Sequence, residues 1–319
     1  MQFPVHNTIT GVGKIPHEAF GIEVEIEYRD DIPSFGYNQC WSKIADHSLR
    51  DGVEYVSKVL VLDKLDSAIA ALGDVFEEDG PTPRMSTHVH LNCTHMPIFN
   101  IYQGIINYYL LEPLLIESQG VYRKGNIFCL SLEETYGLVE EISNSLNGGR
   151  FFYHFDEPLY KYGAVNLASV QKRGTVEFRF LKGSRSAQDI KDSVNTVFHL
   201  FYELAAIPTS RLVGMIEQMS ARELLLTFYD EQLVDTLLSR VISDPKELLE
   251  RNIDDVMYLA KVLDSTTKKK PVQFEQNEDD ANPHTTTTQP EYVVVANAIA
   301  NMANEMNQVA TLETHDVLD

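Results

Sequence analysis

Apolar and acidic residues alternate without exception from Ile22 to Tyr28, within the stretch GIEVEIEY. Ile22, Val24, Ile26 and Tyr28 fall on one parity and Glu23, Glu25 and Glu27 on the other. A period of two predicts a β-strand, whose side chains point alternately to opposite faces. One face enters a core. The other lines up three carboxylates about 6.6 Å apart, an arrangement that like-charge repulsion penalises unless a cation sits among them. Hard divalent ions such as magnesium take carboxylate oxygens. A half-buried strand with a solvated acidic face has the same pattern.

The alternation returns twice. In STHVHLN (86–92), His88, His90 and Asn92 oppose Val89 and Leu91; in TVEFRF (175–180), Thr175, Glu177 and Arg179 oppose Val176, Phe178 and Phe180. The polar faces therefore carry Glu, His, Asn and Arg, the residue types that hold metals and phosphates. A fourth segment, Asp46 to Ser57, reads as a turn at Asp51-Gly52 followed by a β-branched strand carrying Glu54 near its start.

Helical spacing appears elsewhere. Asp63 is the expected N-cap of a helix over 64–78, with Leu65, Ile69, Leu72, Val75 and Phe76 as its apolar stripe. Gly80-Pro81 ends it. Residues 98–117 are apolar almost throughout and predict a buried helix, bent before Pro113. Its Tyr102, Tyr108 and Tyr109 read as packing residues rather than a stacking platform. A Ser131/Glu134 capping box predicts a helix over 131–146, closed by Asn147-Gly148-Gly149. Ser186 opens another, and residues 208–264 read as further helices.

The pattern breaks near Ser265. Residues 265–290 are polar, charged and Pro-containing, with too little apolar surface to offset their ordering entropy, and predict a disordered linker. Residues 291–319 predict a short helix or a tail, with Val295, Ala298, Ile299, Met302, Met306 and Val309 at helical spacing; a protein partner docking there is one expectation. The body of the chain is then 1–264.

Composition narrows the function. Hydrophobic residues make up 44% of 319 residues, enough for a globular core. Forty-seven acidic residues against 26 Lys and Arg give a formal net charge of −21, which disfavours nucleic acid and anionic membrane as passive partners without excluding a nucleic-acid substrate held by a local basic patch. Three widely spaced cysteines argue against a disulfide framework and for a reducing, cytoplasmic setting. MQFPVHNTIT has no signal-peptide pattern, and no run reaches the roughly 20 apolar residues of a membrane helix.

Four pieces, G-I-E-V-E at 21–25, D-H-S-L-x-x-x-V-E-Y-V-S at 46–57, H-V-H-L-N at 88–92 and Y-G-A-V-N-L…T-V-E-F-R between 162 and 179, resemble the amidoligase family. That family belongs to the superfamily of glutamine synthetase and glutamate–cysteine ligase. The resemblance covers about residues 20–185, with one departure, His47 where a Gly is expected. It implies an α+β fold: a curved, mostly antiparallel sheet around an ATP–metal site, with helices on its outer face. It implies an ATP- and Mg2+-dependent ligase that phosphorylates a carboxylate and lets an amine displace the phosphate. Two or more Mg2+ ions fall to Glu23, Glu25, Glu54, His90 and Glu177, with Glu25 serving a different ion from Glu23. Arg179 matches the phosphate-stabilising Arg and Glu177 its neighbouring ligand. Lys182, Arg185, His88 and Asn92 are further candidates for the nucleotide. Asp46 is a candidate base for the amine's proton, as is Glu27.

Some signals carry less. Gly11-Val12-Gly13-Lys14 lacks the spacing of a phosphate loop, and Ile15 takes the hydroxyl position. His88, His90, Cys93 and His95 are zinc-ligand types, but Cys93 falls on the opposite strand face. Ser184, Ser186 and His199 form no nucleophilic arrangement. Arg84 and the turn at Lys182 and Arg185 also read as solvated basic residues. The alternatives to a ligase are a two-metal phosphoester hydrolase or nuclease and a degenerate ligase fold used as a scaffold. Substrates in the ligase reading are a small-molecule, peptide or modified-base carboxylate and an amine.

Overall fold

Among the described residues, six short strands pair antiparallel throughout, in the spatial order β2-β3-β1-β4-β6-β5. They are β1 (Phe20–Glu27), β2 (Trp41–Ala45), β3 (Gly52–Ser57), β4 (Thr87–Asn92), β5 (Val165–Asn166) and β6 (Thr175–Phe178). The computed structural model describes residues 16–28, 32, 35–36, 38–46, 48–73, 82–120, 123–127, 129–135, 137–148, 151–152, 155, 160 and 162–268. The Gly11–Lys14 motif, His47, residues 74–78 of the helix expected at 64–78 and the segments 269–290 and 291–319 lie outside them. Among the described residues no helix is long and apolar enough to cross a membrane.

β1 holds the centre because it has the strongest alternation, with Ile22, Val24 and Ile26 each at most 1% exposed beneath the acidic row. Helices cover that apolar face. α2 (Ile98–Ser118) is buried nearly all round, as its composition predicts. It lies against α5 (Ala187–Ala206), and a Cβ at Gly104 would meet the Phe201 ring at 2.7 Å, so glycine sets their close approach. Phe178 of β6 packs edge-on to Tyr108 and Phe201, and Phe20 to Phe198. The tyrosines of α2 are packing residues, as expected.

Pro113 does not end α2, which runs on to Ser118. Proline removes the N–H that would bond the carbonyl four residues back. That carbonyl, Tyr109 O, instead accepts from Asn252 Nδ2 at 3.0 Å. Asn252 stands between α9 (Pro245–Glu250) and α10 (Ile253–Lys268), so the defect in one helix is repaired by the C-terminal helices.

Several boundaries differ from expectation. Asp63 is not an N-cap: it lies in a 3-10 turn, Leu62–Lys64, and α1 (Leu65–Ala70) starts after Lys64 without a side-chain cap. The Ser131/Glu134 box forms, with Ser131 N donating to Glu134 Oε2 at 3.0 Å and Glu134 N to Ser131 Oγ at 3.1 Å. The helix behind it, α3 (Leu138–Gly148), begins only after Gly137, whose φ of +76° interrupts the run. α4 (Ala168–Arg173) and the short β2 and β5 carry too few residues for a periodic signal. The helix expected at Ser186 forms with Ser186 Oγ accepting from Asp189 N. Behind it come α6 (Thr209–Gln218), α7 (Ala221–Leu225) and α8 (Glu231–Leu238). α10 continues to Lys268, past the expected break at 265.

Candidate active site

Register decides which side chains meet. Glu23 stands opposite His88, Glu25 opposite Glu54, Gly21 opposite His90, and His90 opposite Glu177. Four strands distant in sequence thus place their polar faces on one wall.

Glu23 is the hub. Its Oε2 lies 3.1 Å from His88 Nδ1 and its Oε1 3.1 Å from His90 Nε2. Arg173, at the end of α4, approaches the same Oε1 at 3.4 Å. Glu177 is 3% exposed. Its Oε2 accepts from Asn166 Nδ2 at 2.7 Å and Ser169 Oγ at 3.0 Å, and its Oε1 pairs with Arg179 Nη1 at 2.5 Å. Glu25 accepts from the Ser86 hydroxyl, and Ser86 Oγ lies 2.7 Å from His88 Nε2.

Among the described residues, two sets of side chains each bring their donor atoms within 4.8 Å of one another: Glu23, His90 and Glu177, and Glu23, Glu54 and His88. The first fits a divalent ion. His90 Nε2 is buried with no hydrogen-bond partner although a carboxylate oxygen is 3.1 Å away. Two lone-pair donors facing each other unaligned for a hydrogen bond suit a shared cation, and the other nitrogen, Nδ1, is 3.2 Å from Thr175 Oγ1, the usual support for a ligating imidazole.

The electrostatics show what the acids cost. Burial raises the Glu23 carboxyl, but the neighbouring imidazoles of His88 and His90 outweigh it and hold the group well below the usual carboxylate range. Burial likewise opposes ionisation of Glu177, yet Arg179, His90 and His88 bring it down to about 2. Glu54 goes the other way, pushed up to about 8 by burial and by Glu23, Glu25 and Asp46. Bare, the wall has more negative charge than its cations balance, and Glu54 keeps a proton.

Of the residues expected here, Glu23, Glu54, His90, Glu177 and Arg179 come together. Glu25 is on the same wall but outside both donor sets; the second set contains His88, assigned from sequence to the nucleotide. Asp46 lies at the end of β2, half-buried, with Oδ1 accepting from Ser48 N. Glu27 has both oxygens engaged, by Arg50 N and Thr82 Oγ1. Of the remaining nucleotide candidates, Asn92 lines the cleft beside Glu23 and His90, while Lys182 and Arg185 are engaged elsewhere. Lys182 pairs with Asp189 of α5 at 2.9 Å. Arg185 donates to Glu27 O and lies 5.1 Å over the Tyr28 ring. Asn92 uses its amide nitrogen on Pro16 O and its oxygen on Thr94. Cys93 is buried, its thiol donating to Leu91 O, away from the two strand histidines. Sequence reasoning missed Ser86, Asn166, Ser169 and Arg173. Asn166 was readable only once β5 was paired with β6, where it faces Glu177.

Beside Glu23 and His90 lies a cleft of about 230 Å3 with a largely apolar lining that includes Gly21, Val56, Val59 and Phe20, with Arg173 and Thr175 also on its walls.

The sheet gathers carboxylates, imidazoles and one part-buried guanidinium over helices, and two of its donor sets could hold a metal ion. The model of the family described as "Putative amidoligase enzyme" matches residues 37–200, just over half of the chain. The chain belongs to that family, whose description is that of a ligase. The matched span holds Glu54, His88, His90, Glu177 and Arg179; β1, with Glu23 and Glu25, precedes it. No curated protein matches the chain.

Proposed function

We propose that the protein is an ATP- and Mg2+-dependent carboxylate–amine ligase acting through an acyl phosphate. The observation that carries this reading is the gathering of Glu23, Glu54, His88, His90 and Glu177 around Arg179, which is ion-paired to Glu177. Bound divalent ions would neutralise the phosphate oxygens and the carboxylate acceptor, which otherwise repel each other.

The chain's own residues supply the rest. Glu23, His90 and Glu177 hold one ion; Glu23, Glu54 and His88 hold a second, with Glu25 close enough to His88 Nε2, at 3.6 Å, to complete its surroundings. Asn166 and Ser169 fix Glu177 so that one oxygen stays turned to the wall. Arg179 is pinned beside that oxygen and stabilises the phosphoryl group in transfer, where fixed positive charge is worth most. The apolar cleft past Gly21 and Val56 suits a nucleoside, with Arg173 at its wall for phosphate. Asp46 is the candidate acceptor of the amine's proton, since Glu27 is fully bonded. A cytoplasmic setting, with its ATP and magnesium, fits this chemistry.

The test is ADP release from ATP with pooled amines and pooled carboxylates. Release that requires both pools supports the ligase. Cleavage of phosphoesters without ATP would replace it with the hydrolase reading.

A further inference from the structure

Arg123 is among the largest buried side chains of the described residues, at 2% exposure. It lies in the turn after α2, its carbonyl accepting from Asn126 N. Its guanidinium reaches across 56 residues to two consecutive carbonyls: Nε donates to Phe180 O at 3.1 Å and Nη2 to Arg179 O.

Those two carbonyls lack their ladder partners. Val89 pairs with Phe178, but the next bridge on that side joins Ser86 to Lys182. Three steps along one strand face four along the other, so an extra residue bulges out at Phe180–Leu181. The Thr87 N–H donates to Leu181 O instead of Phe180 O. On the other side, Arg179 N donates to Ala164 O, but Ala164 N turns to Leu130 O at 2.6 Å, leaving Arg179 O without its return bond. A buried carbonyl without a donor is costly. A single guanidinium fork satisfies both, which a lysine's compact ammonium does less well. Gly183 lets the chain leave the bulge, since a Cβ there would lie 2.4 Å from Met85.

We propose that Arg123 is a positioning residue: by clasping both peptide units that follow Arg179, it aims the Arg179 guanidinium at Glu177 and the donor wall. The Arg179 guanidinium meets the wall through Nη1. Its Nη1 is bound to Glu177, with His88 Nδ1 3.5 Å away, and its Nε is buried without a partner. A small rotation of the Arg179–Phe180 peptide therefore moves the guanidinium off the wall. The link to catalysis rests on the role given to Arg179 above; the positioning itself does not.

The experiment compares the full chain with Arg123→Lys and Arg123→Gln, each checked for a cooperative melt so that one variant serves if the other fails to fold. In 15N spectra of arginine Nε–H groups, the Arg179 signal is assigned by its loss in Arg179→Lys. It should leave its wild-type position in the Arg123 variants while that of exposed Arg222 stays. An unmoved Arg179 signal in a folded variant overturns the proposal. With Mg·ATP and Mg·ADP as probes, Arg123→Lys should lose up to about 100-fold of the preference for ATP. Arg179→Lys should do the same, and the double variant no more than the worse single. If the wild type binds neither nucleotide, the ligase reading falls, and the Arg179 signal still decides Arg123.

Discussion

Glu23 touches both histidines of one strand: His88 directly opposite it in register and His90 two pairs further on, opposite Gly21, each at 3.1 Å. The contact uses its two oxygens separately, so a single carboxylate belongs to both donor sets. Glu23→Gln should therefore weaken both metal sites, whereas Glu177→Gln should weaken one. Titration calorimetry with Mn2+ should show two binding events in the wild type, none of comparable strength in Glu23→Gln, and one in Glu177→Gln. Two intact events in Glu23→Gln would end the shared-ligand assignment.

Glu54 gives the site a pH dependence with a definite sign. Its carboxyl, raised to about 8 in the metal-free protein, holds a proton that the unfolded chain has lost above about 4.5. Metal-free stability from this group therefore falls as pH rises from 4.5 toward 8. A divalent ion must displace that proton, so binding releases it and tightens with pH. The rise in melting temperature on adding Mg2+ should be larger at pH 8 than at pH 6, and Glu54→Gln should flatten the difference. Equal shifts at both pH values in the wild type would contradict the assignment.

The Pro113 repair predicts a coupled pair. Asn252→Ala leaves Tyr109 O buried without a donor and should cost about 1–3 kcal/mol. In the background of Pro113→Ala, whose new N–H can bond that carbonyl, the same change should cost less. Urea unfolding of the four proteins checks it; strict additivity would rule out the shared carbonyl.

Away from the wall, Glu117 anchors the loop before α9. Burial opposes its charge, but Ser243 N and Oγ, Lys124 and Ile242 N hold its carboxyl down to about 2. Its folded value lies below its unfolded one, so its stabilisation is complete above about 4.5 and disappears as pH falls toward 2. Glu117→Gln should cost roughly 2 kcal/mol at pH 7 and show a shallower loss in acid denaturation. An unchanged acid limb would remove Glu117 from that role.

Period-two alternation was enough to find β1, β4 and β6, because each has one apolar and one functional face and its parity survives any choice of neighbours. It placed Glu23, His90, Glu177 and Arg179 on polar faces before any pairing was known. What alternation does not carry is register. His88 meets the second donor set only because Glu23 lies opposite it, and Glu25 falls outside both sets for the same reason. The bulge at Phe180–Leu181 is equally invisible in a string of apolar residues, and it decides where Lys182 and Arg185 go. β2 and β5 escaped notice because five and two residues hold too little periodicity. Gly137 was legible as a residue but not as a left-handed break, since nothing in sequence fixes its φ.

The strand order has a consequence for a chain still being made. β1, β3 and β4 are synthesised within the first 92 residues, yet their outer neighbour β6 arrives at 175–178. A ribosome-bound product stopped between those points owns the acids and imidazoles but lacks Glu177 and Arg179. In the ligase reading proposed above, such a fragment would hold ions without consuming a nucleotide, and activity would begin only when the last piece of the wall emerges.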